Sequence, residues 1–299
     1  MINSDNDQNL RVEFSIFEDW VKILCQRLLD QGYELEDELT TDQKLMAYFT
    51  VKWREIPTKI RKLHFSKEFT CPDEYRDGLL MLESESNSGD NLSLRQSRKF
   101  KELHYTDRLL ADWGIQHLHL GISLNSKGLI KGTEHILFCV IDENNIYCIN
   151  IRSHNHTKNP FVWVKYDMLE IIENNWPHLF SGRILKGTNI YPALTEEEYF
   201  KFREINVISG VQLSSGSICM AIGGGVMTDG SSSNARINLN QHAQVIHSIE
   251  KQNSIASLIN QVRQESNYVG NTMRIRMKDD KSRFIIYEEF SGVMLGELS

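Results

Sequence analysis

Apolar residues recur at three- and four-residue spacing near the amino terminus, which predicts a helix from residue 16 to about residue 31. Thr41 can cap a second, shorter helix, and residues 73–82 are typical of a third. The stretch 83–91, rich in Ser, Asn and Glu, then has the composition of a linker. We therefore expect the first ninety residues to be mainly helical.

The hydrophobic pattern changes to that of strands in the middle of the chain. Apolar runs at 115–123, 135–142 and 146–152 each have the length of a strand. The last two runs flank a short polar connection, so we expect them to pair as an antiparallel hairpin. The next segment, 165–175, has helical spacing and ends before Pro177, which cannot continue a helix.

Alternation along a strand determines which side chains share a face. His117 and His119 point to one side of the first strand, whereas Leu118 and Leu120 point to the other. We expect the leucine face to lie on a core beneath the helix at 165–175. The histidine face would then line an open surface or a cleft.

The third strand carries two further candidates, Arg152 and His154, which by alternation share a face with Cys148 and Asn150. The opposite face of this strand is aliphatic. If that aliphatic face also meets the core, Arg152 and His154 lie on the same side of the sheet as the two histidines of the first strand. This convergence is a hypothesis, because one sequence does not define the register between strands.

The last third of the chain combines strands and helices. Two hairpins are expected, one at 207–222 and one at 273–287, with a long amphipathic helix at 239–262 between them. The fold class predicted for the whole chain is α+β.

Three domains follow from these patterns and from the linker composition. They are a helical N-terminal region at 1–92, a central histidine-rich sheet domain at 93–180, and a C-terminal α+β domain at 181–299.

Composition narrows the class of protein. The chain has 299 residues, of which 40% are hydrophobic and 24% charged, as in ordinary soluble globular proteins. The five cysteines are scattered and form no CxxC pair, which favours neither a zinc ribbon nor a disulfide framework. No signal peptide or membrane span is predicted, so we expect a cytoplasmic protein without a membrane partner. The net charge of −7 argues against a wholly basic nucleic-acid coat protein.

Histidine is concentrated in one part of the chain. Imidazole exchanges protons near neutral pH and is a common metal ligand, so such a concentration points to chemistry. Six of the ten histidines lie between residues 104 and 156, namely His104, His117, His119, His135, His154 and His156.

Three interpretations of these histidines remain open. A His-x-His pair on one strand and a third histidine from another strand suit an open zinc site, with His117, His119 and His154 as ligands of zinc or another divalent metal. Metal-free cleavage of RNA needs a base, an acid and cations to hold the phosphate, and two histidines with Arg152 and Lys158 supply those groups. Alternatively, the histidines are structural and partly buried.

The chain has two basic segments, and the first of them is a candidate for phosphate contacts. The first, at 52–67, carries six cations against a single acid, Glu55, and we include its Arg61 and Lys62 among the candidate substrate contacts. A plain solvated face explains this segment equally well. The second segment, at 95–101, leads into the histidine region. His104, Tyr105 and His156 are further candidate substrate contacts. Asp107 either orients an imidazole or caps the turn after it.

The order of a basic segment, a three-stranded antiparallel unit with Arg and His near strand ends, and a packing helix resembles the RelE/ParE-type ribonuclease toxins and the wider barnase-like group. The resemblance covers at most residues 95–180 and rests on element order and residue types. It implies a metal-independent endoribonuclease. His117 or His119 would act as base and His154 as acid, while Arg152 and Lys158 would hold the phosphate. The chain is longer than compact toxins and has substantial flanking domains.

The function expected from these observations is that of an RNA-cleaving toxin or phage-defence effector. Its partners would be RNA and an inhibitory protein or antitoxin, with homo-oligomerisation through the C-terminal domain. No cofactor is expected in this interpretation. The alternatives are a histidine-ligated, metal-dependent nuclease or hydrolase, and a non-catalytic interaction module whose histidines tune an interface.

Overall fold

The computed structural model describes residues 10–155, 157, 161–251, 255–280 and 283–298. Helices and strands both contribute substantially, so the protein has the predicted α+β fold. The chain divides into two compact units. The first is formed by residues 1–49 together with 237–299, and the second by residues 50–236. The predicted boundaries at 92 and 180 both fall inside the second unit.

Within the described ranges, helices and strands are interspersed along the chain. The α-helices are α1 (Ile16–Asp30), α2 (Thr41–Arg54), α3 (Arg76–Ser88), α4 (Arg108–Trp113), α5 (Asp167–Asn175), α6 (Glu196–Glu204), α7 (Ser233–Lys251) and α8 (Ile255–Ser266). The strands are β1 (Arg11–Phe14), β2 (Lys62–Phe65), β3 (Ile115–His119), β4 (His135–Ile141), β5 (Asn145–Ser153), β6 (Ile184–Leu185), β7 (Val211–Gln212), β8 (Ile218–Cys219), β9 (Thr272–Asp280), β10 (Arg283–Glu288) and β11 (Met294–Leu298).

The first unit is built on a four-stranded sheet in the order β1-β9-β10-β11. β1 runs parallel to β9, and the other neighbours are antiparallel. The hairpin expected at 273–287 is present as β9 and β10. The single helix expected at 239–262 is instead two helices, α7 and α8. Asp19 of α1 accepts hydrogen bonds from Arg276 of β9 at 2.7 and 2.9 Å, which fixes that helix on the sheet.

The second unit is organised around a sheet in the order β2-β5-β4-β3. β4 and β5 form the predicted antiparallel hairpin, and β2 adds to β5 in parallel. A hydrophobic core covers each face of this sheet. A smaller sheet, β6-β8-β7, contains the two short strands of the hairpin expected at 207–222.

The two faces of the central sheet are covered differently from the prediction. Leu118 packs in one core with Leu82 of α3, so the leucine face lies beneath α3. Met168 and Leu169 of α5 pack instead with Phe138, on the face that carries the histidines. The expectation that the leucine face lies beneath the helix at 165–175 was wrong, because both faces of the sheet are apolar and alternation alone does not assign each helix to a face.

A bulge in β5 determines where its last residues point. Phe138 is paired with Asn150, but the next residue of β4, Cys139, is paired with Cys148. One residue of β5, Ile149, is therefore extra, and the alternation of side chains reverses there. Cys148 faces the α3 side, whereas Arg152 is paired with Ile136 on the histidine side.

The polar segment expected to be a linker is largely helical. α3 continues to Ser88 and ends at Gly89, which has a positive φ of 75°. Leu82 and Ser86 are fully buried, and the Ser86 hydroxyl donates to the carbonyl of Arg61 at 2.8 Å. The prediction of a linker from composition was wrong, because one buried face is enough to stabilise a polar segment as a helix.

Three arginines of the basic segments are buried rather than exposed. Arg54 donates to the carbonyls of residues 100, 102 and 105. Arg61 donates to those of residues 57 and 142. Arg95, fully buried, pairs with Glu85 and donates to the carbonyls of His119 and Gly121. These guanidinium groups satisfy loop carbonyls that would otherwise lack donors.

We predict that Arg95→Met lowers the free energy of unfolding by about 3 kcal/mol or more, because the Glu85 carboxylate and two carbonyls would lose their shared donor. Urea unfolding followed by circular dichroism measures the change. Lys101→Ala, at an exposed site in the same basic segment, is the control and should stay within about 0.5 kcal/mol of wild type. Equal losses in the two variants would contradict the role given to Arg95.

Candidate functional site

Three of the candidate histidines line one cavity of the second unit. His117, His119 and His154 face a space of about 570 Å³, and Tyr105 also contributes to its wall. The ring centroids of His119 and His154 are 5.7 Å apart. We name this space the histidine cavity.

The strand geometry brings these rings together. His117 and His119 are two residues apart on β3 and therefore share a face. His154 follows the end of β5, where its backbone N–H and its Nδ1 both reach the carbonyl of Glu134, at 3.0 and 2.6 Å. Because of the β5 bulge, the side chain of His154 lies on the same face of the sheet as those of His117 and His119.

His117 faces a buried carboxylate. Its Nδ1 lies 3.2 Å from Oδ2 of Asp107, and both side chains are almost completely buried. The two atoms are within ion-pair distance but lack the alignment of a good hydrogen bond. The contact is therefore mainly electrostatic.

Asp107 also begins a helix. Its Oδ1 accepts the backbone N–H groups of Leu109 and Leu110 at 2.9 and 3.0 Å and caps α4. Burial raises the pKa of Asp107, but the charge of His117 and these donated hydrogen bonds outweigh it, so the net shift is downward. The carboxylate is therefore ionised at neutral pH. Both roles considered for Asp107 from the sequence are present.

His119 is held in one tautomer. The backbone N–H of Thr133 donates to its Nδ1 at 3.0 Å, so the neutral ring carries its proton on Nε2. Burial, followed by the positive charges that His117 and His154 can carry, lowers the pKa of His119 to about 4. His119 is therefore a neutral Nε2–H donor at physiological pH and not a proton acceptor.

His154 has the opposite arrangement. Its Nδ1 donates to the carbonyl of Glu134, because a carbonyl can only accept. Its Nε2 is then the atom that gains or loses a proton. Trp163 lies between the rings, with its centroid 5.0 Å from that of His117 and 6.2 Å from that of His154, both in edge-on contacts.

Cations that the sequence analysis did not select border the cavity. Arg203 of α6 donates to Asp112 at 2.6 Å and to the carbonyl of Trp163 at 2.5 Å. Its Nη2 is buried and has no partner among the described residues. Arg108 donates to the carbonyl of Arg203 and lines the same cavity, as does Lys99. Burial raises the pKa of Asp112, and the charge of Arg203 opposes that rise.

Sequence reasoning missed Arg203 because it is 91 residues from Asp112 and lies in a short polar helix. A capping box at Thr195 and Glu198 marks the start of that helix in the sequence. Nothing in the local pattern indicates that its last turn returns to the histidine region.

Several other candidate residues lie elsewhere. Arg152 forms a bidentate pair with Asp167, with both contacts at 2.8 Å, and is not part of the cavity wall. His104 and Lys62 are exposed outside the cavity, and Arg61 is buried among backbone carbonyls. His156 and Lys158 lie outside the described residues.

The zinc interpretation receives no geometric support within the described ranges, where no three His, Cys, Asp or Glu side chains form a group able to hold a metal ion. In the histidine cavity, the three Nδ1 atoms are directed to Asp107, to the N–H of Thr133 and to the carbonyl of Glu134. Only the three Nε2 atoms are left to meet a ligand.

Comparison with family models, with curated proteins and with solved structures finds no match to the chain. The resemblance to RelE/ParE-type toxins therefore stays a prediction. No helix in the described part of the chain is long and apolar enough to span a bilayer.

We predict that protonation of His119 destabilises the folded protein. Its pKa of about 4 in the folded state lies below the ordinary value of roughly 6.5, so the unfolded chain takes up the proton first as the pH falls. The stability contributed by neutral His119 is complete above about pH 6.5 and is lost towards pH 4, by up to about 3 kcal/mol.

Urea unfolding between pH 7.5 and pH 4 measures this dependence. The difference in unfolding free energy between wild type and His119→Gln should shrink across that range. His104→Gln, at an exposed position outside the cavity, is the control and should follow wild type. A wild-type curve parallel to that of His119→Gln would contradict the buried, neutral state of His119.

Proposed function

We propose that the protein is a metal-independent endoribonuclease whose histidine cavity provides general acid–base catalysis. The observation that carries the proposal is that the Nδ1 atoms of three imidazoles in one cavity face different groups, namely a carboxylate, a backbone N–H and a backbone carbonyl, and the rings can therefore take different proton roles. Separate roles for an acid and a base are what phosphodiester cleavage requires.

His117 is the base in this proposal. The Asp107 carboxylate faces Nδ1 and favours a proton there, which leaves the Nε2 lone pair to accept another. An ionised carboxylate also stabilises the imidazolium that forms when the base takes up a proton. Of the two bases considered from the sequence, His117 is favoured over His119, whose Nδ1 already accepts a backbone N–H.

His154 is the acid. With Nδ1–H held by the Glu134 carbonyl, the proton on Nε2 of the imidazolium is the one available for transfer. His117 removes the proton of a ribose 2′-hydroxyl, and O2′ forms a bond to phosphorus. The bond from phosphorus to O5′ breaks as His154 protonates that oxygen. The products are a 2′,3′-cyclic phosphate and a free 5′-hydroxyl.

The negative charge that develops on the phosphate can be stabilised by hydrogen-bond donors and cations of the histidine cavity. His119 offers its Nε2–H, and the Arg108 and Lys99 side chains on the cavity wall supply positive charge. Preorganised donors and cations of this kind stabilise a transition state more than they stabilise the substrate. Arg152, which the resemblance assigned to the phosphate, is paired with Asp167, so we give that role to Arg108.

The biological setting remains part of the proposal. A ribonuclease made in the cytoplasm acts on the RNA of its own cell, so a toxin or phage-defence role with an inhibitory protein partner or antitoxin would fit this activity. Homo-oligomerisation and residence in the cytoplasm are further parts of the proposal.

We predict that His117→Ala and His154→Ala each reduce the rate of RNA cleavage at least about 100-fold, because each removes one of the two proton-transfer groups. Purified protein is incubated with a fluorescently labelled single-stranded RNA, with and without EDTA, and the rate is taken from product bands. His104→Ala, at an exposed histidine outside the cavity, should retain wild-type activity. Cleavage that EDTA abolishes, or no cleavage by wild type, would refute the proposal.

We predict that Asp107→Asn lowers the cleavage rate about tenfold or more while it largely preserves stability. An asparagine oxygen still accepts the N–H groups of Leu109 and Leu110 and keeps the helix cap, but the charge facing His117 is lost. Asp107→Ala removes the cap as well and should lose both activity and about 1 kcal/mol of stability. Cleavage rates and urea midpoints of the three proteins test this, and full activity of Asp107→Asn would contradict the role given to the Asp107 charge beside His117.

A further inference from the structure

The second unit contains another cavity, of about 640 Å³, at the opposite end of β3. Gln116 lies in its wall, immediately before His117 in the chain, but on the other face of the strand. We name this space the Gln116 cavity. The chemistry proposed for the histidine cavity makes no use of it.

A chain of hydrogen bonds fixes the orientation of the Gln116 amide. The carbonyl of Arg54 only accepts, so the side-chain atom of Gln96 at 2.9 Å from it must be the amide nitrogen, Nε2. That same nitrogen donates to Gln116 at 3.1 Å, which must therefore present its oxygen, Oε1. The Gln116 amide nitrogen, Nε2, is therefore not used in this chain, and neither of its two N–H groups is donated to Gln96.

Those two N–H groups have no partner among the described residues. Gln116 is nevertheless only 6% exposed, and it borders the cavity. Because the Gln116 side chain is largely enclosed and borders the cavity, a ligand carbonyl or ring nitrogen placed there would gain a hydrogen bond in a site with limited access to bulk water.

Asn234 supplies the complementary group. Its Nδ2 donates to the carbonyl of Gly223 at 2.7 Å, so its Oδ1 is the atom left to accept a hydrogen bond. Asn234 lines the same cavity, and the indole of Trp53 contributes an aromatic wall. A donor, an acceptor and an aromatic side chain together match a planar heterocycle that carries both a carbonyl and an N–H group.

The charges around the cavity disfavour phosphate. Its lining includes two cations, Lys59 and Arg61, and three anions, Glu55, Asp142 and Glu143. Lys59 is already paired with Glu143, and Arg61 donates to backbone carbonyls. No unpaired cation of this lining is left for a phosphate group, so the ligand should be uncharged.

We propose that the Gln116 cavity binds a neutral nucleobase or nucleoside, with the Gln116 amide donating to a base carbonyl or ring nitrogen and Asn234 accepting from a base N–H. The site also contacts the chain segment that forms the histidine cavity. Gln96, which orients Gln116, precedes Ser97, and Ser97 lines the histidine cavity. A ligand bound at Gln116 could therefore affect the position of residues 96–97, which connect the two cavities.

Isothermal titration calorimetry with adenosine, guanosine, cytidine and uridine, each added separately to the full chain, tests the proposal. We expect saturable binding of at least one nucleoside, and its 5′-monophosphate should bind more weakly because of the acidic lining. Gln116→Met should weaken binding about tenfold, which is the loss expected for one hydrogen bond. Gln212→Met is the matched control, since Gln212 bonds to Asn189 and Ile190 outside the cavity.

Asn234→Ala provides a second variant in case Gln116→Met does not fold, which circular dichroism will show. The proposal is overturned if no nucleoside binds saturably, if the monophosphate binds more tightly, or if Gln212→Met weakens binding as much as Gln116→Met. The same titration with His117→Ala separates the two cavities. Unchanged binding supports a site that is independent of the ribonuclease proposal, and loss of binding places the nucleoside in the histidine cavity and refutes this one.

Discussion

The Asp107 carboxylate faces in two directions. One oxygen accepts the N–H groups that begin α4, and the other lies 3.2 Å from the imidazole of His117. Because the helix cap fixes the carboxylate, it also fixes the position of the charge that orients His117. The orientation of His117 therefore depends on a local structural feature, the N-cap of α4, a short helix that ends at Gly114 directly before β3.

Buried arginines hold the rest of the site. Arg54 engages the carbonyl of Tyr105, Arg95 that of His119, and Arg203 that of Trp163. Each of these carbonyls belongs to a residue that lines the histidine cavity. Such contacts satisfy buried backbone oxygens and restrict irregular segments to one conformation, which the proposed catalytic role would require of its supporting residues. Three cations of residues 52–67 and 95–101, namely Arg54, Arg61 and Arg95, thus have a structural role.

Much of the fold could be predicted from the sequence, because periodicity reports which side chains are buried. The helix at α1 follows from apolar spacing, and the β4–β5 hairpin follows from two apolar runs on either side of a short polar connection. The bulge at Ile149 could not be predicted, since it depends on the fit of β5 to its neighbour and not on local composition. Within the site, alternation predicted that His117 and His119 share a face. The contribution of Arg203 depends on a contact over 91 residues, which no local pattern encodes.

The central claim is that imidazoles alone move the protons of the reaction, with His117 acting on a ribose 2′-hydroxyl. The most direct measurement is mass spectrometry of the RNA ends that the wild-type protein produces in the presence of EDTA. The account predicts 2′,3′-cyclic phosphate and 5′-hydroxyl ends, since O2′ is the nucleophile. Ends with a 3′-hydroxyl and a 5′-phosphate would contradict it, because they require attack by water and leave no role for a base at the 2′-hydroxyl.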